Sequence, residues 1–211
     1  MQTTFQNLPR RRFRFGVWLG TVIMKLLGWR LEGQIPDLPK VIAVVAPHTS
    51  NWDWVVGMAT ALHLDLDANW LGKQSLFRGV LGGVLRWLGG IPVDRSHAHG
   101  VIAQVVSEAR RRDKFLLGLA PEATRKPRDR WRSGCYYIAR DAEIPLVPVR
   151  VDYSRKVIEV GAILPLSADA EETLAKLSSW YRPEMARYPE NFLHHRPETP
   201  SGQVVDSSPL I

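Results

Sequence analysis

Five short apolar runs, at residues 41–45, 68–71, 90–93, 115–119 and 144–151, recur along this chain, each bounded by glycine, proline or charged residues. Runs of this length and composition suit strands buried on both faces. Between them, residues 52–63, 77–88, 101–112 and 133–141 carry apolar side chains at helical spacing, as Trp52, Val55, Val56, Ala59 and Leu62 show. Strand and helix alternate, which predicts an α/β fold with a largely parallel sheet flanked by helices. A further strand at 156–160 and a helix at 170–185 extend the expected domain, and the Pro- and Ser-containing tail after Pro197 reads as loose. At 211 residues, 45% of them hydrophobic, the chain suits one well-cored domain with its chemistry between 41 and 151.

In such sheets ligands collect outside the carboxyl ends of the strands, and His48, Arg95 and Glu122 each follow an apolar run closely. The first lies in Ala46-Pro47-His48-Thr49-Ser50-Asn51-Trp52-Asp53. Thr49, Ser50 and Asn51 are N-cap formers, so a helix is expected to start near Asn51, with His48 in the loop before it. Asp53 then falls in the first turn, where the macrodipole favours its charge. An imidazole titrates near pH 6.5, and a carboxylate on one ring nitrogen fixes the tautomer that leaves the other free to take a proton. The pair suits activation of a hydroxyl; a buried structural His–Asp pair is the alternative for the spacing alone. Arg95 and Arg125 offer guanidinium forks that match phosphate. Lys73 adds a point charge to such a site or is a solvated surface cation. Glu122 either pairs with one of these arginines or touches substrate.

Four blocks taken together resemble the glycerolipid acyltransferases of the lysophosphatidic-acid acyltransferase type. They are His48-x4-Asp53, Gly90-Ile91-Pro92-Val93-Asp94-Arg95, Pro121-Glu122-Ala123-Thr124-Arg125 and Ile144-Pro145-Leu146-Val147-Pro148-Val149, in the family's order. The resemblance implies that His48 and Asp53 are the catalytic pair, and that the block from Gly90 to Arg95 holds the acceptor's phosphate. It implies acceptor binding by Glu122, Thr124 and Arg125, and an apolar block at the end of the core around Pro145 and Pro148. One position departs: the family has glycine where this chain has Ala123. If that position needs positive φ, alanine there costs on the order of 1 kcal/mol. The implied reaction is transfer of a fatty acyl chain from acyl-CoA or acyl-carrier protein to a lysophospholipid hydroxyl, most readily that of 1-acylglycerol 3-phosphate. Direct transfer of this kind needs no metal and no cofactor beyond the thioester co-substrate.

Charge points to a surface. Residues 1–30 hold Arg10, Arg11, Arg12, Arg14, Lys25 and Arg30 with no acid, interleaved with Phe13, Phe15, Trp18, Leu26 and Trp29. The stretch is too short to span a bilayer and Lys25 interrupts it, but a basic amphipathic helix with aromatics can lie in the headgroup region. The expectation is an N-terminal membrane-binding helical segment and a peripheral protein at the cytoplasmic face of an anionic membrane. A packed amphipathic helix is the alternative, and no small-residue cleavage site supports a signal peptide. A second basic stretch, 110–132, includes Arg128-Asp129-Arg130-Trp131-Arg132. Basic residues beside aromatics are also a nucleic-acid footprint, a reading that leaves His48, Asp53 and the ordered blocks unexplained. An acyltransferase-type hydrolase using water is a third possibility. Cys135, the lone cysteine, reads as a packed hydrophobe, and His63, His97, His99, His194 and His195 lack metal-ligand spacing.

Overall fold

Each of the five apolar runs is a strand. The computed structural model describes residues 5–94, 98–123, 130–193 and 195. In it β2 spans Lys40–Ala46, β3 Ala68–Lys73, β4 Gly90–Val93, β5 Phe115–Leu119 and β6 Leu146–Asp152. With β1 at Arg30–Gly33 and β7 at Val157–Val160 they form one seven-stranded sheet of order β1-β7-β6-β2-β5-β3-β4. Every neighbouring pair is parallel except β6 with β7.

Side chains alternate across this sheet as the period of two requires. Ile42, Val44 and Ala46 of β2 pack with residues of α4 (Ala98–Arg111), α5 (Gly134–Ala142) and α6 (Ala170–Ser178) on one face. Val41, Ala43 and Val45 face the other way, towards α1 (Arg14–Leu27) and α2 (Asn51–His63). The ninth residue of a further short helix, α3 (Gly79–Trp87), reaches the start of α1, where the Trp87 ring meets Phe13 edge to face at 5.3 Å. A helix through residue 185 does not form. α6 ends at Ser178, and Pro183, which has no N–H to continue a helical ladder, instead opens a 3-10 turn, Pro183–Met185.

The N-terminal segment divides its faces. Gly16 and Gly20 let α1 approach α2 closely: a Cβ on Gly20 would lie 2.5 Å from the His63 nitrogen and 2.6 Å from the Ala59 oxygen. The Thr21 hydroxyl lies 2.8 Å from His63 Nδ1 across the same contact. On the outer face Phe15, Trp18 and Leu26 stay 59%, 58% and 82% exposed. No helix of the described residues is long and apolar enough to cross a membrane.

Two residues singled out from the sequence lie in the core. Cys135 is buried, and burial pushes its thiol up to about 12, so it stays protonated and non-nucleophilic. Trp131 is also buried, donating its indole N–H to the Leu193 carbonyl at 3.3 Å. It is therefore withdrawn from any stacking on a nucleic-acid base.

Candidate active site

The His–Asp spacing is a consequence of how α2 begins. Strand β2 ends at Ala46, and Ser50 caps α2, its hydroxyl accepting the Trp52 N–H at 3.1 Å. Asp53 closes the reciprocal half of a capping box: its Oδ2 accepts the Ser50 N–H at 2.8 Å. The same oxygen lies 3.3 Å from His48 Nδ1. The other, Oδ1, accepts the Tyr153 hydroxyl at 2.6 Å. Asp53 thus accepts two hydrogen bonds and lies against the His48 ring while 3% exposed at a helix N-terminus, which satisfies a buried carboxylate and fixes its direction. The His48 ring, with its side chain 26% exposed, is held through Nδ1, which leaves Nε2 for a reacting group.

Tyr153, just beyond β6, and Arg187 were not singled out by the sequence. Burial and the adjacent Asp53 charge raise the Tyr153 hydroxyl well above its ordinary range, so it remains a donor to Asp53. The Arg187 guanidinium lies 5.2 Å from the Trp52 ring centre and 5.8 Å from that of Tyr153, an exposed cation beside the pair. The Tyr188 N–H donates to Thr49 Oγ1 at 3.3 Å, tying this segment to the His48 loop.

Glu122 sits beneath the loop, 2% exposed, its Oε1 accepting the His48 backbone N–H at 2.7 Å. Burial pushes its carboxyl up to about 8; the Asp53 charge adds to this, and the His48 N–H opposes it. An unfolded glutamate titrates near 4.3, so between about 4.3 and about 8 the folded chain holds one proton more than the unfolded chain. Stability contributed by this proton is full at low pH and falls as pH rises through that window, by at most about 1.4 kcal/mol per pH unit. Glu122→Gln keeps an acceptor for the His48 N–H without a titrating proton, so its stability is expected to be flatter. Denaturant midpoints from pH 5 to 9 measure this, and equal slopes in both proteins would place the proton elsewhere.

Ala123 follows at φ 55, so this position does take the left-handed conformation in which alanine is strained by about 1 kcal/mol. Arg95, Thr124 and Arg125 lie outside the described residues. Lys73 is exposed at the end of β3. Gly90 is buried, and a Cβ there would meet the Phe77 ring at 2.6 Å, so close packing explains the glycine. In the fourth block, Val147 and Val149 line the cavity described next, as does Val151 just after it. Pro148 points to the opposite layer, where its Cγ closes on Gly161.

His48 and Asp53 stand in the wall of a cavity of about 1830 Å³, above the roughly 300–1,000 Å³ usual for small-molecule sites. Under α2 its walls are apolar and small, with Ala43, Gly57, Ala61, Ala68, Gly118 and Val147. On the other side of the sheet it runs past Val101, Ser107, Arg110, Tyr137 and Arg140. The Trp54 indole N–H in this wall is buried with no hydrogen-bond partner among the described residues.

A His–Asp pair at the carboxyl end of β2, against a cavity in an α/β fold, can activate a hydroxyl. The sequence model of the family described as Acyltransferase matches residues 31–152, more than half of the 211, and the chain belongs to that family. Among curated proteins it is similar to a 1-acyl-sn-glycerol-3-phosphate acyltransferase of Escherichia coli (strain K12), 31% identical over 167 residues. That alignment covers 74% of this chain and 65% of the relative, so the chain spans just under two thirds of the relative's length. Its fold is shared with a solved structure, the 1-acyl-sn-glycerophosphate (LPA) acyltransferase PlsC from Thermotoga maritima. The two agree with a TM-score of 0.55 at 15% identity, over 77% of this chain and 76% of that one.

Proposed function

We propose that this protein is a peripheral membrane O-acyltransferase that moves a fatty acyl chain from acyl-CoA or acyl-carrier protein to the free hydroxyl of 1-acylglycerol 3-phosphate. The observation that carries the reading is the contact of His48 Nδ1 with the Asp53 carboxylate, itself fixed by the Ser50 N–H and the Tyr153 hydroxyl, in the cavity wall. His48 Nε2 takes the acceptor's hydroxyl proton as the oxygen attacks the thioester carbonyl, and Asp53 stabilises the imidazolium that forms. When the tetrahedral intermediate collapses, the C–S bond breaks and the leaving sulfur takes that proton back, giving an ester and a free thiol. The acyl chain lies in the apolar lobe under α2, while Arg95 and Arg125 hold the acceptor phosphate. The basic, aromatic α1 seats the protein on an anionic surface such as the cytoplasmic leaflet.

The test is incubation with a panel of lysolipids and both donor types, with products followed by mass spectrometry. Phosphatidic acid is the expected product. Free fatty acid alone would identify a hydrolase, and no acyl product at all would overturn the reading. Chain length gives a second expectation. Among the described residues a Cβ on Gly57 meets no atom within 4 Å, so a side chain can be introduced at this cavity-lining position, as in Gly57→Leu. Relative kcat/KM for long over short acyl donors is expected to fall roughly tenfold or more. An unchanged chain-length profile in the folded variant would place the acyl chain elsewhere.

A further inference from the structure

Helix α3 is packed by a glycine and shows its large apolar side chains to the outside. Gly82 is its buried residue, and a Cβ there would sit 2.3 Å from the Phe77 carbonyl. Val80, Leu81, Val84 and Trp87 are 89%, 63%, 48% and 55% exposed, and Leu76 in the preceding turn is 49% exposed. A nine-residue helix that turns Val80, Leu81 and Val84 outward beside a half-exposed Trp87 has an apolar face left largely open among the described residues.

This face is continuous with the outer face of α1. Trp87 meets Phe13, Phe13 meets Phe15 at 5.9 Å, and Phe15 meets Trp18 at 5.5 Å, so one aromatic ridge joins the two helices. Arg11 braces the joint, its guanidinium 5.3 Å from the Trp87 ring centre and donating to the Trp87 carbonyl. The charge around the ridge is predominantly positive: the acids beside it, Asp65 and Asp67, are each paired with an arginine, Arg10 and Arg11. Residues 68–93 contain Lys73, Arg78 and Arg86 and no acid, and α1 contains Arg14 and Lys25 and no acid; all five cations are exposed. A second copy of the chain docking on this face would set cation against cation. An anionic lipid bilayer supplies both the negative headgroups and the apolar depth the ridge lacks.

We propose that α3 is a second bilayer-inserting element, so that the membrane footprint is the combined α1–α3 ridge with Val80, Leu81 and Val84 in the acyl region and Trp18 and Trp87 at headgroup level. The proposal rests on the peripheral-membrane reading above and extends it to a part of the chain that lies between β3 and β4. It also brings the surface to the strand that leads into the Gly90 block.

The test compares three full-length proteins on vesicles of phosphatidylcholine with and without one-third phosphatidylglycerol. They are wild type, Val80→Ser/Leu81→Ser/Val84→Ser, and Phe15→Ser/Trp18→Ser. All substituted side chains are exposed, so unfolding midpoints should match wild type, and this is measured alongside. The α3 variant is expected to partition onto anionic vesicles roughly tenfold or more weakly than wild type. An environment-sensitive fluorophore on Leu81→Cys, where the remaining thiol is buried, should shift to the blue on those vesicles. If the α3 variant binds as wild type does while the α1 variant loses binding, the membrane reading stands and the proposal for α3 falls. Absence of binding by wild type itself would remove both. A wild-type dimer that the α3 serines convert to monomer would make a second copy the occupant and overturn the lipid assignment.

Discussion

His48→Ala is expected to lower turnover by roughly 10²–10⁴-fold while leaving the protein folded, because a positioned general base typically contributes that much. The expectation of a folded variant comes from the surroundings. The His48 side chain is partly exposed and held by one contact to Asp53, and its backbone N–H to Glu122 survives the change. The change leaves buried Asp53 one contact short but still holding the Ser50 and Tyr153 donors, so a stability loss within about 1–3 kcal/mol is expected and is measured alongside. Steady-state acyl transfer at matched unfolding midpoints measures the effect. Near-normal transfer by folded His48→Ala protein would remove the mechanism.

Asp53→Asn should be nearly as damaging, by roughly 100-fold or more, and the geometry says why. An amide nitrogen at Oδ2 would oppose the Ser50 N–H and force His48 Nδ1 to accept, the wrong tautomer for a base at Nε2. An amide nitrogen at Oδ1 would oppose only the Tyr153 hydroxyl, which can rotate, and the loss is then the negative charge that stabilises the imidazolium. Tyr153→Phe keeps that charge and removes one hydrogen bond, so a loss of about tenfold or less is expected from it. The ordering His48→Ala, Asp53→Asn, Tyr153→Phe is read in kcat. A folded Asp53→Asn protein with wild-type kcat would reduce Asp53 to a capping residue.

What the sequence made legible was whatever a local pattern encodes. His48 and Asp53 could be placed because cap-forming Thr49, Ser50 and Asn51 announce the helix between them, and that same cap builds the contact. Five of the strands were legible as predominantly apolar runs, interrupted only by Asn69 and Arg150. β1 was not: Arg30, Leu31, Glu32 and Gly33 form a four-residue edge strand with no buried residue, too short and too polar to signal itself. Tyr153 and Arg187 escaped for another reason. Tyr153 meets a residue 100 positions away, and nothing around either position marks it. Glu122 was seen but not its partner, since the partners considered were an arginine side chain or substrate, and a backbone N–H has no letter in the sequence.

The first turn of α2 couples two properties that are separate in most enzymes. Asp53 caps the start of α2 and contacts His48 with the same oxygen, so under the proposed mechanism fraying of that turn and loss of the reactive geometry are a single event. Local openings of helix ends cost far less free energy than global unfolding. Heat should therefore silence this protein before it melts, and return activity on cooling without any refolding of the sheet. Any ligand that seals the first turn would act as a thermostat for catalysis, raising the temperature at which the site stays assembled while the midpoint of global unfolding hardly moves.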